Sequence, residues 1–400
     1  EGYKQTEVGV IPEDWDIDKL ASLTQSKRPI SYGIVQTGRP IEGGVACIRV
    51  VDINDGIIND KDLITTSKEI NNSYKRTILN EGDLIIALRG KIGELAVVTK
   101  EFEGANLTRG VALIALQEIY SSHFYKQYLS SAESKIRLQN SLNGSALQEL
   151  PIATVRSFPI AIPPLPEQRA IAATLSDVDA LIAALDNLIA KQRHLKTATM
   201  QQLLTGKKRL PGFSGEWIVQ QLGEISEIVM GQSPSSLNYN LKGEGLPLIQ
   251  GNADIVERQT IKRVFTLQIT KLGKSGDILM TVRAPVGQIS QAKFDICLGR
   301  GVCALRFPNT FLYHFLISIE STWAKHSKGS TFDSVNSSDI SAIKVNLPSD
   351  AQEQRAIATV LSDMDAAISA LETRRAKTQA IKQGMMQELL TGKTRLINNE

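Results

Sequence analysis

Residues that could transfer a group or cleave a nucleotide are present in this chain, but they lack the spacing that the chemistry needs. An adenine methyltransferase holds its flipped base with a polar residue, a Pro-Pro pair and an aromatic residue, whereas Pro163 and Pro164 lie between Ile162 and Leu165. A phosphate-binding loop needs the pattern GxxxxGK, and no Gly-Lys pair here has the earlier glycine. The sequence therefore argues against methyl transfer and ATP hydrolysis by this chain. The Gly-Lys pairs begin at Gly90, Gly206, Gly273 and Gly392.

Metal, nucleophile and dinucleotide sites are equally hard to assemble. The histidines are His123, His194, His314 and His326. They lie far apart, with no ligand spacing and no Ser/His/Asp grouping, so we expect them on the surface or on helix faces. Residues 299–304, GRGVCA, match the dinucleotide pattern GxGxxA in letters, but Pro308 blocks the helix that this fold requires. We expect no metal and no cofactor in this chain.

The composition is that of a globular chain of 400 residues with room for two domains. Hydrophobic residues make up 42% and charged residues 22%, and no apolar run reaches the ~18 residues that span a bilayer. A net charge of +3 permits a nucleic-acid partner without requiring one. The first residues lack a basic leader and an apolar core, so we expect a cytoplasmic protein. Cys47, Cys297 and Cys303 show no CxxC spacing, which favours reduced, partly buried thiols.

One segment of the chain is duplicated. The sequence EQRAIA occurs at 167–172 and again 186 residues later, at 353–358. Between 167–210 and 353–396, 26 of 44 positions are identical, including LSDxD and LLTGK. Weaker matches precede each copy, such as GDLIIALRGKIG with GDILMTVRAPVG, and Gly144-Ser145 with Gly329-Ser330. The chain therefore consists of two related halves.

Each duplicated segment predicts one long helix. Its apolar residues recur at alternating steps of about three and four positions, which is typical of a coiled-coil seam. Pro166 suits a first helical turn, Asp350 and Glu353 have the spacing of a capping box, and Gly206 and Gly392 suit left-handed helix ends. A helix of about 57 Å must project from its domain and needs a partner for its apolar stripe. We predict that the two helices pair antiparallel in a coiled coil, with two separate core helices as the alternative. The seam residues are Ile171, Leu175, Val178, Ile182, Leu185 and Ile189, and then Ile357, Leu361, Met364, Ile368 and Leu371.

A mixed domain precedes each long helix. Short β-branched runs bounded by Gly, Asn and Asp predict strands at 46–51, 83–88, 111–116, 278–282 and 302–307. Helical patterns lie at 122–138 and 310–325. The fold class is therefore α+β, with two mixed α/β domains and a pseudo-two-fold repeat. The predicted boundaries are 1–160 and 208–347 for the domains, and 161–207 and 348–396 for the helices.

The order of domain, helix, domain and helix is marked by PLPEQRAIAATLSDVDALIAAL ending in LLTGKKRL, and by a second copy ending in LLTGKTRL. This arrangement resembles the specificity (S) subunit of a type I restriction-modification system, over essentially the whole chain. The resemblance implies two target-recognition domains, each recognising one half of an asymmetric bipartite sequence in double-stranded DNA. It implies helices that set the half-site spacing and dock two modification (M) subunits, which carry S-adenosylmethionine. Restriction (R) subunits would join this assembly, with ATP and Mg also on partner subunits, and this chain would not be a catalyst.

Loops rich in donors and acceptors are the first candidates for contacts with base edges, with Arg or Lys on guanine and Asn or Gln on adenine. Loop 230–243, MGQSPSSLNYNLKG, has this composition in the second domain. We take loop 25–33, QSKRPISYG, as its counterpart in the first, because the two loops follow Trp217 and Trp15. Solvated linkers are the alternative. The candidate DNA contacts are Lys27, Arg28, Ser31, Tyr32, Gln232, Ser233, Ser235, Asn238, Tyr239 and Lys242.

Cationic residues recur at matching positions of two otherwise different domains. A shared role such as phosphate anchoring fits this recurrence better than base recognition. A structural ion pair with the nearby Asp83 and Asp277 is the alternative. These candidates are Arg89, Lys91, Arg109, Arg283 and Arg300.

Polar residues at the start of each long helix could tie it to its domain or to a modification subunit. They are Glu167, Gln168, Arg169, Glu353, Gln354 and Arg355. Asp177 with Asp179, and Asp363 with Asp365, diverge by about 200° on a helix, so solvated or partner-facing roles fit better than a catalytic carboxylate pair.

Two other functions remain open from the sequence. A coiled-coil scaffold whose domains bind proteins would have the same architecture, and exchange of its domains would change protein partners and leave DNA methylation untouched. A fused nuclease or methyltransferase would need activity in the isolated chain, for which no residues are visible.

Overall fold

The chain folds into two compact units. The computed structural model describes residues 2–142, 148–326 and 334–397. Unit 1 comprises Glu1–Ala184 and Arg375–Glu400, and unit 2 comprises Leu185–Arg374. The division passes through both long helices, so each unit contains part of each one. The predicted division separates each domain from its long helix, whereas this one cuts across the helices. The predicted domain and helix boundaries therefore stay predictions. The match of Gly144-Ser145 with Gly329-Ser330 falls outside the described residues.

Unit 1 is organised around a sheet with an apolar core on each face. Its four strands have the order β10 (Leu95–Val97), β9 (Leu84–Ala87), β12 (Val111–Ile114) and β4 (Ser31–Tyr32), and a second sheet has the order β11 (Asn106–Leu107), β5 (Val45–Ile48) and β8 (Ile64–Thr66). Along β9, Leu84 and Ile86 pack into one core and Ile85 into the other, as the alternation of side chains across a strand requires. The strands described in unit 1 are β1 (Tyr3–Thr6), β2 (Gly9–Pro12), β3 (Asp16–Lys19), β4 (Ser31–Tyr32), β5 (Val45–Ile48), β6 (Ile53–Asn54), β7 (Ile57–Ile58), β8 (Ile64–Thr66), β9 (Leu84–Ala87), β10 (Leu95–Val97), β11 (Asn106–Leu107), β12 (Val111–Ile114) and β13 (Pro159–Ile162).

Unit 2 repeats this plan with more strands in each sheet. One sheet has the order β15 (Glu227–Met230), β25 (Val302–Arg306), β22 (Ile278–Thr281), β23 (Ile289–Gln291), β19 (Gln259–Thr260) and β18 (Ile255–Val256). The other has the order β16 (Tyr239–Asn240), β20 (Phe265–Thr266), β17 (Leu246–Ile249), β24 (Ile296–Leu298) and β21 (Leu272–Gly273). Along β22, Ile278 and Met280 pack into one core and Leu279 into the other. β22 and β25 are antiparallel, with Thr281 opposite Val302. The corresponding strands of unit 1, β9 and β12, are also antiparallel. The strands described in unit 2 are β14 (Trp217–Gln221), β15 (Glu227–Met230), β16 (Tyr239–Asn240), β17 (Leu246–Ile249), β18 (Ile255–Val256), β19 (Gln259–Thr260), β20 (Phe265–Thr266), β21 (Leu272–Gly273), β22 (Ile278–Thr281), β23 (Ile289–Gln291), β24 (Ile296–Leu298), β25 (Val302–Arg306) and β26 (Lys344–Pro348).

The five predicted strands are all present, with shorter C-terminal ends. The strand predicted at 46–51 ends at Ile48, because Val50–Asp52 forms a 3-10 turn. The helix predicted at 122–138 is broken into two at Ser131, whose hydroxyl accepts a hydrogen bond from the backbone of Ser134 and starts a second helix. The described helices are α1 (Lys68–Ser73), α2 (Ser122–Ser130), α3 (Ala132–Asn140), α4 (Ile152–Ser157), α5 (Leu165–Leu203), α6 (Leu222–Ile225), α7 (Phe311–His326), α8 (Ser337–Ser341) and α9 (Ala351–Leu389).

The two predicted long helices are α5 and α9, each 39 residues long. Both end as predicted, with Gly206 at φ +70° and Gly392 at φ +69°, a conformation that side chains rarely tolerate. Asp350 caps α9 by accepting from the backbone of Gln352 at 2.8 Å. Glu353 does not complete the predicted capping box, because its carboxylate binds Arg209 instead.

In unit 1, the start of α5 runs antiparallel to the end of α9. Glu167 in the first turn of α5 pairs with Arg395, which follows α9 in the chain. Three turns later, Asp179 pairs with Lys382 at 2.6 Å. The residue number on the α9 side falls while the residue number in α5 rises. The two helices therefore run in opposite directions here. The sequence suggested a solvated or partner-facing role for Asp179; its side chain is 41% exposed and forms this ion pair within unit 1.

In unit 2, the end of α5 and the start of α9 repeat these contacts. Glu353 pairs with Arg209, and Asp365 pairs with Lys196. Each acidic residue lies 186 positions after its counterpart in unit 1, so both units use the same ion pairs.

Most residues of the predicted seam are buried. They are Ile171, Leu175, Leu185, Ile189, Ile357, Leu361 and Ile368.

The cysteines are buried and unpaired, as expected for reduced thiols. Burial raises the pKa of Cys47 to about 11 and that of Cys303 to about 12. Among the described residues, no helix combines the length and apolar character needed to cross a membrane.

Candidate nucleic-acid interface

Equivalent backbone hydrogen bonds hold three segments together in each domain. We call this arrangement the frame; it consists of residues 33–34, 48–52 and 108–110 in unit 1, and of 231–232, 249–254 and 299–301 in unit 2. The bonds in unit 2 run from Gly231 N to Val302 O, from Gly299 N to Ile249 O and from Val282 N to Gly301 O, at 3.0, 2.8 and 2.9 Å. The matching bonds in unit 1 run from Gly33 N to Val111 O, from Thr108 N to Ile48 O and from Leu88 N to Gly110 O, at 3.1, 3.0 and 2.8 Å.

The frame changes the loop alignment inferred from the tryptophans. Because Gly33 occupies the place of Gly231, the segment after Gly33 is the counterpart of the loop that follows Gly231. Residues 25–33 precede that point, so they do not correspond to residues 230–243 as expected. The spacing from the tryptophans misled the alignment because the chain segment between Trp15 and the frame is longer than the one after Trp217.

The candidates in residues 25–33 have different environments. Lys27 and Tyr32 are exposed. The hydroxyl of Ser31 donates to the backbone oxygen of Pro29 at 2.9 Å. Arg28 is half-buried and engaged in unit 1, as described next. Of the four candidates in this segment, Lys27 and Tyr32 are therefore the exposed ones.

The structural ion pairs considered for Asp83 and Asp277 exist, but their partners are Arg28 and Arg306. Both aspartates are buried, 5% and 7% exposed. They lie at the starts of β9 and β22, whereas the arginines at matching positions of the two domains lie beyond the other ends of these strands. Strand direction therefore separates the aspartates from the arginines that the sequence paired with them.

Arg89 and Arg109 lie near one acidic side chain in unit 1. Arg89 donates to Glu149 at 2.7 Å in an exposed pair. This bond lowers the pKa of Glu149, and the charge of Arg109 adds to the shift. The ammonium of Lys91 binds the side-chain oxygen of Asn54. Lys91 and Arg109 are exposed and Arg89 is half-buried, and their phosphate contacts stay a prediction.

Arg283 and Arg300 occupy the matching positions in unit 2. Both are exposed, and their guanidinium groups form no ion pair within residues 2–142, 148–326 and 334–397. The backbone N–H of Arg300 donates to the hydroxyl of Ser233 at 3.0 Å, which joins two predicted DNA contacts. Gln232 is exposed beside them.

The rest of loop 230–243 is organised by one glutamine. Gln268 accepts from the backbone of Ser235 at 3.1 Å and from the amide of Asn238 at 2.6 Å. The hydroxyl of Tyr239 donates to the backbone oxygen of Pro234 at 3.2 Å, and Lys242 is exposed. This part of the loop is therefore held by hydrogen bonds to Gln268 and by a bond within the loop itself.

The sequence missed the residues that follow the buried strands β5 and β17. In unit 2 these include Gln250 and Asn252, both exposed; in unit 1 they include Val51, which is 64% exposed. The sequence does contain a signal for these residues. In both halves, an apolar strand is followed by a short polar or exposed segment and then by an Asp-Ile pair, in VACIRVVDIN and in LPLIQGNADIV.

The polar residues at the start of α5 bind within unit 1. Glu167, 2% exposed, accepts from the indole of Trp15 at 3.0 Å and from Arg395. Gln168 accepts from the backbone of Ser121 at 2.9 Å. These two residues therefore tie the helix start to its domain.

The start of α9 is held in the same way. Glu353 is fully buried and paired with Arg209, and Gln354 accepts from the amide of Asn309 at 3.0 Å. Of the six predicted partner contacts, the two exposed ones are Arg169 and Arg355.

The described residues hold no cluster of His, Cys, Asp and Glu that could bind a metal. His314 lies on helix α7, one of the two expected environments, and is buried there with its Nε2 3.0 Å from the hydroxyl of Ser362. Residues 302–306, which would continue the dinucleotide motif as a helix, form the buried strand β25.

Comparison with known proteins identifies the family to which the chain belongs. The model of the type I restriction modification DNA specificity domain matches residues 12–191 and 214–383. The putative type I restriction enzyme MjaX specificity subunit of Methanocaldococcus jannaschii is 29% identical, over 99% of this chain and 97% of its own length. The EcoBI specificity subunit of Escherichia coli is 31% identical over 59% of this chain and 49% of its own.

A solved structure shares the fold. The type I restriction-modification S subunit from M. genitalium has a TM-score of 0.63 at 17% identity, over 94% of this chain and 96% of its own. Since the family match covers most of both units, the chain belongs to the type I restriction modification DNA specificity family.

Proposed function

We propose that this chain is the non-catalytic DNA-recognition subunit of a type I restriction-modification complex, with one half of an asymmetric bipartite target recognised by each domain. The observation that carries this proposal is the frame. Both domains hold the same three segments with the same backbone bonds, yet the side chains exposed there differ. A shared frame with different surfaces suits two domains that bind the same kind of molecule and discriminate different sequences.

The chemistry of the exposed residues supports DNA as that molecule. Arg109 and Arg300 occupy equivalent places and are exposed in both domains, as phosphate contacts require. Exposed amides lie beside Arg300, and amides are the groups that pair with adenine edges. The other predicted contacts that are exposed also stay part of the proposal; they are Lys27, Tyr32, Lys91, Lys242 and Arg283.

We further propose that α5 and α9 form an antiparallel coiled coil that sets the half-site spacing and docks two modification subunits. The antiparallel ion pairs in each unit and the buried seam support this role. Arg169 and Arg355 are the proposed contacts, because they are exposed one position after buried, engaged residues. S-adenosylmethionine would be bound by the modification subunits, and ATP and Mg by partner subunits that include the restriction subunits, in the cytoplasm.

Binding of DNA by the chain assembled with its modification subunits tests the proposal. Phosphate contacts make affinity fall with salt, while base contacts make it depend on sequence. We expect a bipartite duplex to bind more tightly than a scrambled duplex of equal length at every salt concentration. Equal affinity for both duplexes, or domains that select proteins and ignore DNA, would overturn it.

A further inference from the structure

Two exposed side-chain amides in unit 2 have no contact among the described residues that would give them a structural role. Gln250 and Asn252 follow strand β17, and both side chains are exposed. Neither amide forms a hydrogen bond with any other residue within the described ranges. An amide carries donors and an acceptor, so groups left open in this way are available to a ligand.

The backbone that carries these amides is fixed. The N–H of Gln250 donates to Asp254 at 2.8 Å, and Asp254 is 7% exposed. Arg263 holds Asp254 from the other side and donates to the backbone oxygen of Ala253 at 2.8 Å. The amides therefore project from a turn whose backbone is already held in place, so binding need not order that backbone.

The same turn lies directly against the segment that carries Arg300. A Cβ added to Gly301 would come within 1.9 Å of the backbone oxygen of Gln250, so only glycine allows the two segments to touch. Gly299 donates its backbone N–H to Ile249 at 2.8 Å. The amides, Arg300 and Gln232 are thus exposed on three adjoining segments of the frame.

The equivalent turn of unit 1 has different chemistry. Arg49 occupies the place of Gln250, but Asp52 accepts from its guanidinium at 3.0 and 2.8 Å, and the backbone oxygen of Asp62 accepts at 2.9 Å. The exposed side chain of the turn is Val51, which has no hydrogen-bonding group. Unit 1 therefore lacks free amides at this position.

We propose that Gln250 and Asn252 determine the half-site recognised by the second domain by pairing with adenine edges in the major groove. An amide can bond to N6 and N7 of adenine together, a pairing that no other base offers in that groove. Arg300 anchors the phosphate backbone beside them. This inference rests on the proposed function and adds to it the residues and the base class that one domain selects.

The test compares methylated-adenine maps made with the wild-type chain, with Gln250→Ala and Asn252→Ala, and with the matched control Gln220→Ala. Gln220 is an amide of the same unit that lies in β14, away from the frame. We expect the Ala variants to lose preference for adenine by about 10- to 100-fold at one or two positions of one half-site. The other half-site and the Gln220→Ala map should match the wild type.

The isosteric variants Gln250→Glu and Asn252→Asp keep the test decisive if an Ala variant folds poorly. A carboxylate accepts from the amino group of cytosine and cannot donate, so preference should move from adenine toward cytosine at the same positions. A bipartite motif that is unchanged in all four variants would overturn this inference alone. Absence of any bipartite motif with the wild-type chain would overturn the proposed function as well.

Discussion

Arg395 donates to both carboxylate oxygens of Glu167, at 2.6 and 2.8 Å, although 228 residues separate the two in the chain. Glu167 begins one long helix and Arg395 follows the other. The same contact occurs in unit 2 between Glu353 and Arg209. In each unit, the residue that starts one copy of the repeat is therefore held by the segment that ends the other copy.

Removal of the arginine should destabilise unit 1. Arg395→Ala leaves the carboxylate of Glu167, 2% exposed, without its cation, and we expect a loss of about 3 kcal/mol in the free energy of unfolding. The control is Lys100→Ala, which breaks an exposed ion pair with Glu103 worth about 0–1 kcal/mol. Urea denaturation followed by tryptophan fluorescence measures both. Similar small losses in the two variants would show that the buried pair contributes no more than a surface pair.

Substitution by phenylalanine should lower the stability more at Trp15 than at the equivalent Trp217. The indole N–H of Trp15 donates to Glu167 at 3.0 Å, whereas that of Trp217 is buried without a partner among the described residues. Trp15→Phe removes a satisfied bond to a buried carboxylate, so we expect it to cost about 1–3 kcal/mol more than Trp217→Phe, which removes an unsatisfied donor. Thermal unfolding of the two variants makes the comparison, and equal costs would argue against this role of the Trp15 bond.

Long-range contacts of this kind limit what the sequence can predict. The long helices were predictable because their periodicity and their terminal glycines are local, and each closing glycine has the expected left-handed conformation. The partner of Asp83 was not, since Arg28 reaches it only after the strands have paired. For the same reason, the sequence placed loop 25–33 opposite loop 230–243, while the frame places Gly33 opposite Gly231.

His314 should make unit 2 less stable in mild acid. Burial lowers the pKa of His314 to about 4, and the charge of Lys196 adds to this effect, while Asp365 opposes it. The unfolded chain, with a histidine pKa of about 6.5, takes up a proton between these values that the folded chain does not. The stabilisation is therefore complete above about pH 6.5 and is lost as the pH falls toward about 4, a change of roughly 3 kcal/mol.

The His314→Gln variant isolates this effect, since an amide can still bond to Ser362 and does not titrate. The difference in unfolding free energy between wild type and variant should shift by the stated amount between about pH 7 and about pH 4. A pH profile shared by both proteins would place the sensitive group elsewhere.

Lengthening both long helices should change the half-site spacing and leave the half-sites unchanged. Four residues added to each helix extend it by about 6 Å, near two base-pair rises of about 3.4 Å. The methylated sequence should then have a spacer longer by about two base pairs. As a control, four residues inserted after Gly212, an exposed turn between α5 and β14, should leave the spacer as it was. A changed half-site with an unchanged spacer would contradict the proposed role of the helices.

The central claim is that two domains built on one frame each recognise half of a DNA target. Single-molecule sequencing of methylated adenines in cells that carry this chain with its modification subunits tests it most directly. The account predicts one asymmetric sequence in two parts, separated by a spacer of fixed length and methylated in both parts. A continuous or symmetric methylated sequence, or methylation that persists unchanged without this chain, would contradict it.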